Sequence, residues 1–389
     1  MDARLATVVA DEFGALADQV WLNTAHQGPL PRSAVAATAG AAAVKAAPHR
    51  LADEDFTVAT EHLRGQLARL VHAGPDQIVL GNSTSYGLHL VANGLAWRSG
   101  DEVLVLAGDY PATVLPWRRL ERHGVRTVTV QPSNGALAAA DVQRAITSRT
   151  RVLAVTWVDS FTGRAADLDE LGTVCRAAGV LLVVNGSQAL GARPLDVRTT
   201  PVDALACCGY KWLCGPYGTG FAWLHPALLD QLEPQQAYWL AMQAGRGLDR
   251  MRDTTLRDDL GVRALDVFCP ANFLNTSAWS AALDVFLNLG VETIEAWDQH
   301  LVTRLLAGLD PSRYRLVSPA DGPQRSTLVV LDAVDGSAER RHQLLTEAGI
   351  HTAYREGNLR LSVHLVNTED QIDRTLTALH ARDVPDARP

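Results

Sequence analysis

Between residues 77 and 224 short apolar runs alternate with amphipathic stretches, and this alternation restricts the possible folds more than any other feature of the chain. Residues 77–81, 102–107, 126–131, 151–157, 180–185, 204–209 and 218–224 read as strands. Runs such as VLVLA and VLLVV are apolar at consecutive positions, so both faces of those strands must be covered. Helical patterns at 141–147 and 168–178 lie between them, the second stopped by Gly179. Strand-helix alternation of this kind predicts an α/β fold: a three-layer, mostly parallel sheet between helices. The pattern then changes. A long helix over 276–288 ends before Gly290 and leads to strands at 314–318, 326–331, 351–354 and 359–363, with helices from 338 and 369. These predict a smaller α+β C-terminal domain, and the tail 384–389 is expected to be loose.

At 389 residues the chain is long enough for two such units. Its net charge of -8 and lack of a basic block exclude a nucleic-acid or anionic-membrane partner, while leaving room for a local basic pocket. Five cysteines, an odd number without a C-x-x-C pair, argue against a disulfide framework and for a reducing cytoplasm. The N-terminus carries acidic residues and no apolar core of a signal peptide, and no run of about 18 apolar residues offers a membrane span. The histidines are scattered, without metal-ligand spacing.

Parallel sheets bind ligands beyond the carboxyl ends of their strands, so the residues there are the candidates. After the first strand, Ser83-Thr84-Ser85 opens a helix. Free backbone amides, the helix dipole and hydroxyls converge there as they do on an anion, although the same residues also serve as ordinary caps. After the fifth comes Asn185-Gly186-Ser187-Gln188, polar residues that need partners or form a satisfied turn. After the sixth, Tyr210-Lys211-Trp212 sets a lone lysine among apolar and small residues. Either it is a surface lysine at a turn, or burial lowers its pKa and makes its amine a nucleophile toward carbonyls.

Together these elements resemble the class V aminotransferase and cysteine desulfurase-like enzymes of fold type I, which use pyridoxal 5'-phosphate (PLP). The family's D-G-x-Q appears as N-G-S-Q at 185–188, and its G-H/Y-K as G-Y-K-W-L-C-G-P at 209–216. Thr84 to Ala92 matches T-x-x-G-L/I-x-L-V-A, and Asp109 to Trp117 matches E-x-x-A-x-x-x-P-W with Asp for Glu. Arg360-Leu361-Ser362 through Asn367-Thr368 matches R-x-S-x-x-x-x-N-T. The resemblance spans about residues 21–379 and is nearest in tone to isopenicillin N epimerase-like proteins and PLP enzymes of lincosamide antibiotic assembly.

Carried over by position, the resemblance implies that Lys211 holds the cofactor covalently and shuttles the α-proton. Thr84 and Ser85 hold the phosphate, Gln188 faces the ring oxygen, and Tyr110 stacks on the ring where the family often has His. Cys208 stands where relatives often have a phosphate-contacting Ser, and Tyr210 completes the cofactor's surroundings. Arg360 takes the substrate carboxylate, Asn23 and His26 line the substrate pocket, and Asn272 reaches the partner's phosphate in a homodimer with a shared active site. The implied domains are a segment 1–22 packing with the small domain, a large domain 23–275 and a small domain 276–389.

Two departures bear on the reaction. Asn185 replaces the Asp expected at the ring nitrogen; an aspartate keeps that nitrogen protonated, whereas an amide is neutral and donates to an unprotonated one. The electron sink is then weaker, and transamination suffers more than expulsion of a β-leaving group. The stretch 344–359 also contains no cysteine, where desulfurases carry a nucleophilic one shortly before the carboxylate-binding arginine. The expectation is chemistry at the α-carbon of an amino acid in secondary metabolism, with β-elimination from an S-substituted cysteine (a C–S lyase) as the specific reading. Decarboxylation-coupled oxidative deamination, epimerisation and transamination are the alternatives. A catalytically inert PLP-fold binding protein is the reading from outside enzymology, favoured by Asn185 and opposed by Lys211 and Arg360.

Overall fold

A computed structural model of the chain describes residues 3–381 apart from 134, 136, 240–251 and 253; the tail at 384–389 lies outside the described residues. The chain enters through α1 (Ala3–Phe13), β1 (Val20–Trp21), α2 (Arg32–Ala46) and α3 (Asp55–Leu70). The alternating region follows as β2 (Ile78–Gly81), α4 (Thr84–Gly94), β3 (Glu102–Leu106), α5 (Pro111–Arg118), β4 (Arg126–Val130), α6 (Ala139–Ala145), β5 (Thr150–Thr156), α7 (Leu168–Ala177), β6 (Leu181–Asn185), β7 (Ala204–Cys208) and β8 (Gly220–Leu224).

These seven strands form one sheet in the order β2-β8-β7-β6-β5-β3-β4. The strands from β7 to β4 are mutually parallel, and β8 runs against both its neighbours. The apolar runs explain the layering: Val152, Leu153, Ala154 and Val155 of β5 are all buried, alternately on one face and the other. Each Val or Leu among them contributes about 1.5–3 kcal/mol on burial. Local signals set the helix ends. Ser83 accepts from the Tyr86 amide at 3.2 Å to open α4, Asp167 accepts from the Glu170 amide at 2.9 Å to open α7, and Gly179 (φ 68°) terminates it. Helix α4 lies hard against the sheet; a Cβ at Gly87 would sit 2.8 Å from that of Ala206.

The second unit contains β9 (Tyr314–Leu316), β10 (Leu328–Ala333), β11 (Ile350–His351), β12 (Ala353–Arg355) and β13 (Asn358–Ser362). Four of these form an antiparallel sheet in the order β12-β13-β10-β9, while β11 pairs in parallel with β1. The long helix runs over Phe273–Leu289, three residues earlier than the pattern predicts, because Asn272 caps it. Residues 23–28 tie the two sheets together. Asn23 bridges to Ser362, the Ala25 amide donates to Ser362 Oγ at 3.0 Å, and the Gly28 amide donates to the Tyr210 carbonyl at 2.9 Å. Only glycine fits at 28, since a Cβ there would meet the Lys211 carbonyl at 2.1 Å.

Candidate active site

The parallel strands present their carboxyl ends on one side, and the expected residues gather there. A cavity of about 330 Å³ is lined by Thr84, Ser85, Tyr110, Asn185, Gln188, Tyr210 and Lys211. Lys211 follows β7 and is only 8% exposed. Its Nζ lies 5.6 Å from the centre of the Tyr110 ring and 6.0 Å from that of Tyr210, and among the described residues no carboxylate pairs with it. Tyr210 is itself stacked on Tyr217, with ring centres 4.5 Å apart.

Asn185 ends β6 and is buried. Its Oδ1 accepts from the Ser187 amide at 3.0 Å and from Ser187 Oγ at 2.6 Å, while its Nδ2 donates to Thr113 Oγ1 at 2.9 Å. Thr113 and Thr156 share a hydroxyl contact of 2.7 Å, and Thr156 donates its hydroxyl to Asp109. Asp109 also accepts from the amides of Tyr110 (2.6 Å) and Thr156 (3.0 Å). The resulting chain runs Asn185–Thr113–Thr156–Asp109, each hydroxyl passing its proton toward the carboxylate. It fixes which end of the Asn185 amide is the donor. Burial, opposed by those hydrogen bonds, pushes the Asp109 carboxyl up to about 6.

Gln188 is held from both ends: its Nε2 donates to the Ala25 carbonyl at 3.1 Å, and its Oε1 accepts from the Trp212 indole at 2.9 Å. Behind Trp212, His364 Nε2 lies 2.9 Å from the Trp212 carbonyl and Nδ1 lies 2.9 Å from Asp298. A carbonyl only accepts, so Nε2 carries a proton, and a second proton is shared between Nδ1 and the fully buried Asp298. This pair fastens the turn after Lys211 to the second unit. Thr84 is buried, with its hydroxyl against Ser187 Oγ, and Ser85 is exposed beside it. Cys208 is also buried. Burial is the largest influence on its thiol and raises it. Hydrogen bonding with Cys207, Thr84 and Ser187 and the charge of Lys211 outweigh burial and bring it to about 6.

Arg360 lies in β13, 5% exposed. Its Nη1 donates to the Ser160 carbonyl at 3.2 Å, and its Nε is buried without a partner. Burial first, then the charge of Arg355, lowers the guanidinium to about 10. His26 is lowered by partial burial and by the charges of Arg355, Arg360 and Lys211, which brings all four into one electrostatic neighbourhood. Asn23 Oδ1 is buried and unpartnered. Asn272 lies apart from this group, lining another hollow with Asn82 and Gly220. Sequence reasoning quoted Asp109, Thr113, Ser187 and Trp212 inside motifs without giving them roles, and it missed Thr156 and the His364–Asp298 pair. A polar residue closing each buried strand was the available signal for Thr156.

The family model for aminotransferase class-V matches residues 32–375, and the chain belongs to that family. It is 32% identical over 377 residues to the isopenicillin N epimerase of Streptomyces clavuligerus, covering 92% of this chain and 94% of the relative. It is also 28% identical to a probable cysteine desulfurase of Methanothermobacter thermautotrophicus, covering 94% of each. In fold it is similar to the cystine C-S lyase C-DES in complex with cysteine persulfide (TM-score 0.86, 22% identity, 95% of this chain and 99% of that one). The cysteine desulfurase CsdA of Escherichia coli matches with a TM-score of 0.81 at 22% identity, covering 96% of this chain and 97% of that one. The cofactor of the family is PLP. The cavity suits it: a buried amine without a counter-charge, amides at a helix start for a phosphate, and an amide donor held at the end of β6.

Proposed function

We propose that Lys211 holds PLP and that the protein catalyses β-elimination from an S-substituted cysteine. Thr84, Ser85 and the start of α4 would hold the PLP phosphate, Asn185 the ring nitrogen and Gln188 the ring oxygen, and Tyr110 would stack on the ring. Cys208 and Tyr210 border the cofactor, and Asn272 reaches across to the partner's phosphate in a homodimer. Arg360 takes the substrate carboxylate in a pocket that Asn23 and His26 line. One observation carries the reading: Ser160, which lines the cavity of the buried Lys211, accepts through its carbonyl from a buried arginine whose Nε has no partner. Lys211 is the attachment point for an aldehyde cofactor, and Arg360 is complementary to the carboxylate of an amino acid bound to it.

When bound, PLP withdraws electrons from the substrate's α-carbon. Lys211, buried at the cavity, is the residue placed to remove the α-proton. Arg360 holds the carboxylate so that the scissile bond faces Lys211. The Thr113–Thr156–Asp109 chain keeps Asn185 a donor, and a cofactor ring facing that amide would be a weaker electron sink than one facing a carboxylate. The overall reaction is RS–CH2–CH(NH3+)–COO− plus water giving RSH, pyruvate and ammonium. Incubation with S-alkyl cysteines tests it: pyruvate and thiol are expected, whereas carbon dioxide, an aldehyde and oxygen uptake would replace it with oxidative deamination.

A desulfurase is the second reading, supported by the names of several relatives and by the lowered Cys208 thiol. Alanine as product, with a persulfide mapped to Cys208, would favour it. All five cysteines are free, and no helix among the described residues is long and apolar enough to cross a membrane.

A further inference from the structure

We propose that Arg355 forms a second anion site at the mouth of this pocket, so that the substrate is an amino acid whose side chain ends in a carboxylate. The inference rests on Arg360 binding the α-carboxylate. In the small sheet Ala353 lies opposite Arg360, and Arg355 lies opposite Asn358. Cross-strand partners share a face, as do residues two apart on a strand. Arg355 and Arg360 therefore project from one face of the sheet, a diagonal step apart. The turn between their strands has Glu356 at φ 45° and Gly357 at φ 81°, the two consecutive left-handed residues of a tight hairpin, which fixes that register.

The two guanidiniums repel across this step, and no carboxylate separates them. Arg355's charge lowers Arg360, His26 and His342. Among the described residues neither arginine has an ion pair with Asp or Glu. Arg355 donates at 2.7 Å to the Tyr354 carbonyl, while Arg360 keeps its orphaned Nε. Beside Arg355 opens a hollow of about 420 Å³ lined by Asn23, His26, His342 and Tyr354. Partial burial holds both histidines toward the neutral form, so the positive charge there belongs to Arg355. Glu339 also borders the hollow, but its charge bears on His342. A ligand with a single carboxylate would relieve Arg360 alone, whereas a second carboxylate would relieve both like charges. Diagonal cross-strand positions lie about 7–8 Å apart, a span suited to a dicarboxylate of about six carbons.

The test is calorimetric titration of the holoenzyme with adipate and with hexanoate, which share a chain length and cannot react. Adipate is expected to bind about tenfold more tightly than hexanoate. In Arg355→Gln that advantage disappears, with a much smaller effect on hexanoate binding; in Arg355→Lys part of it remains. An unaltered thermal midpoint and cofactor spectrum certify that the variants are folded. Equal binding of the two acids by the wild type, or an adipate advantage that survives in Arg355→Gln, would overturn the inference. Failure of the proposed function itself reads out separately, as absent pyruvate from S-carboxyalkyl cysteines, which carry the second carboxylate, despite a measured preference for adipate.

Discussion

Replacing Arg360 by Met should strengthen the fold while abolishing ligand binding, and the two effects have calculable sizes. Burial and the neighbouring Arg355 hold the guanidinium down at about 10, which corresponds to about 3 kcal/mol of unfavourable electrostatics in its charged state. That cost is present at neutral pH and is relieved only as pH rises through 10, where the folded protein releases the proton before the unfolded chain does. The hydrogen bond to the Ser160 carbonyl returns about 1 kcal/mol, and methionine keeps most of the stem's packing. The net gain is about 2 kcal/mol. At ~2.1 cal/mol/K of unfolding entropy per residue, a chain of this length gains about 2–3 °C in Tm. Binding moves the other way. A buried, bidentate arginine–carboxylate contact is lost, at about 3–5 kcal/mol, so amino-acid affinity should fall at least ~10²-fold. Calorimetric unfolding without amino acid, paired with spectral titration by cysteine analogues, reads both. A variant less stable than wild type, or one that binds amino acids normally, would refute the assignment of Arg360 as an uncompensated charge awaiting a carboxylate.

Asp109, raised to about 6 from an ordinary 3.8, stabilises the fold only when protonated. That contribution is complete below pH 3.8 and is lost as pH climbs through 6; Asp109→Asn should flatten Tm against pH across that window. Asn185→Asp turns the donor at the end of β6 into an acceptor, so the pH dependence of the cofactor's visible absorbance should differ from wild type; identical titrations would exclude contact with the ring nitrogen. Gly87→Ala would push a methyl to 2.8 Å from Ala206 Cβ and 3.0 Å from Ala222 Cβ, and should lower stability by about 1–3 kcal/mol in urea unfolding as α4 lifts from the sheet. Trp212→Phe removes the donor to Gln188 Oε1 and should lower cofactor affinity several-fold by dialysis, with little change in Tm.

Most of the seven strands were legible because they contain continuous apolar runs, a pattern that a sheet covered on both faces accommodates, whereas β4 (RTVTV) alternates. Lys211, Asn185 and Gln188 were legible for a related reason: a polar residue closing such a run stands at the carboxyl edge where ligands bind. The Asn185–Thr113–Thr156–Asp109 chain was not, because its members come from three segments that meet only through the order β6-β5-β3, which no local pattern encodes. Arg355 depended similarly on hairpin register, since a slip of one residue would turn it to the other face. The His364–Asp298 pair joins a strand end to a helix 66 residues away, and each residue alone resembles an ordinary surface polar group.

The covalent attachment is tested most directly by reducing the purified holoenzyme with borohydride, digesting it and locating the pyridoxyl group by mass spectrometry. A single modified peptide with the label on Lys211, and none in Lys211→Ala, is the expected result. A label on another lysine, or a cofactor that dialyses away intact after reduction, would contradict the account.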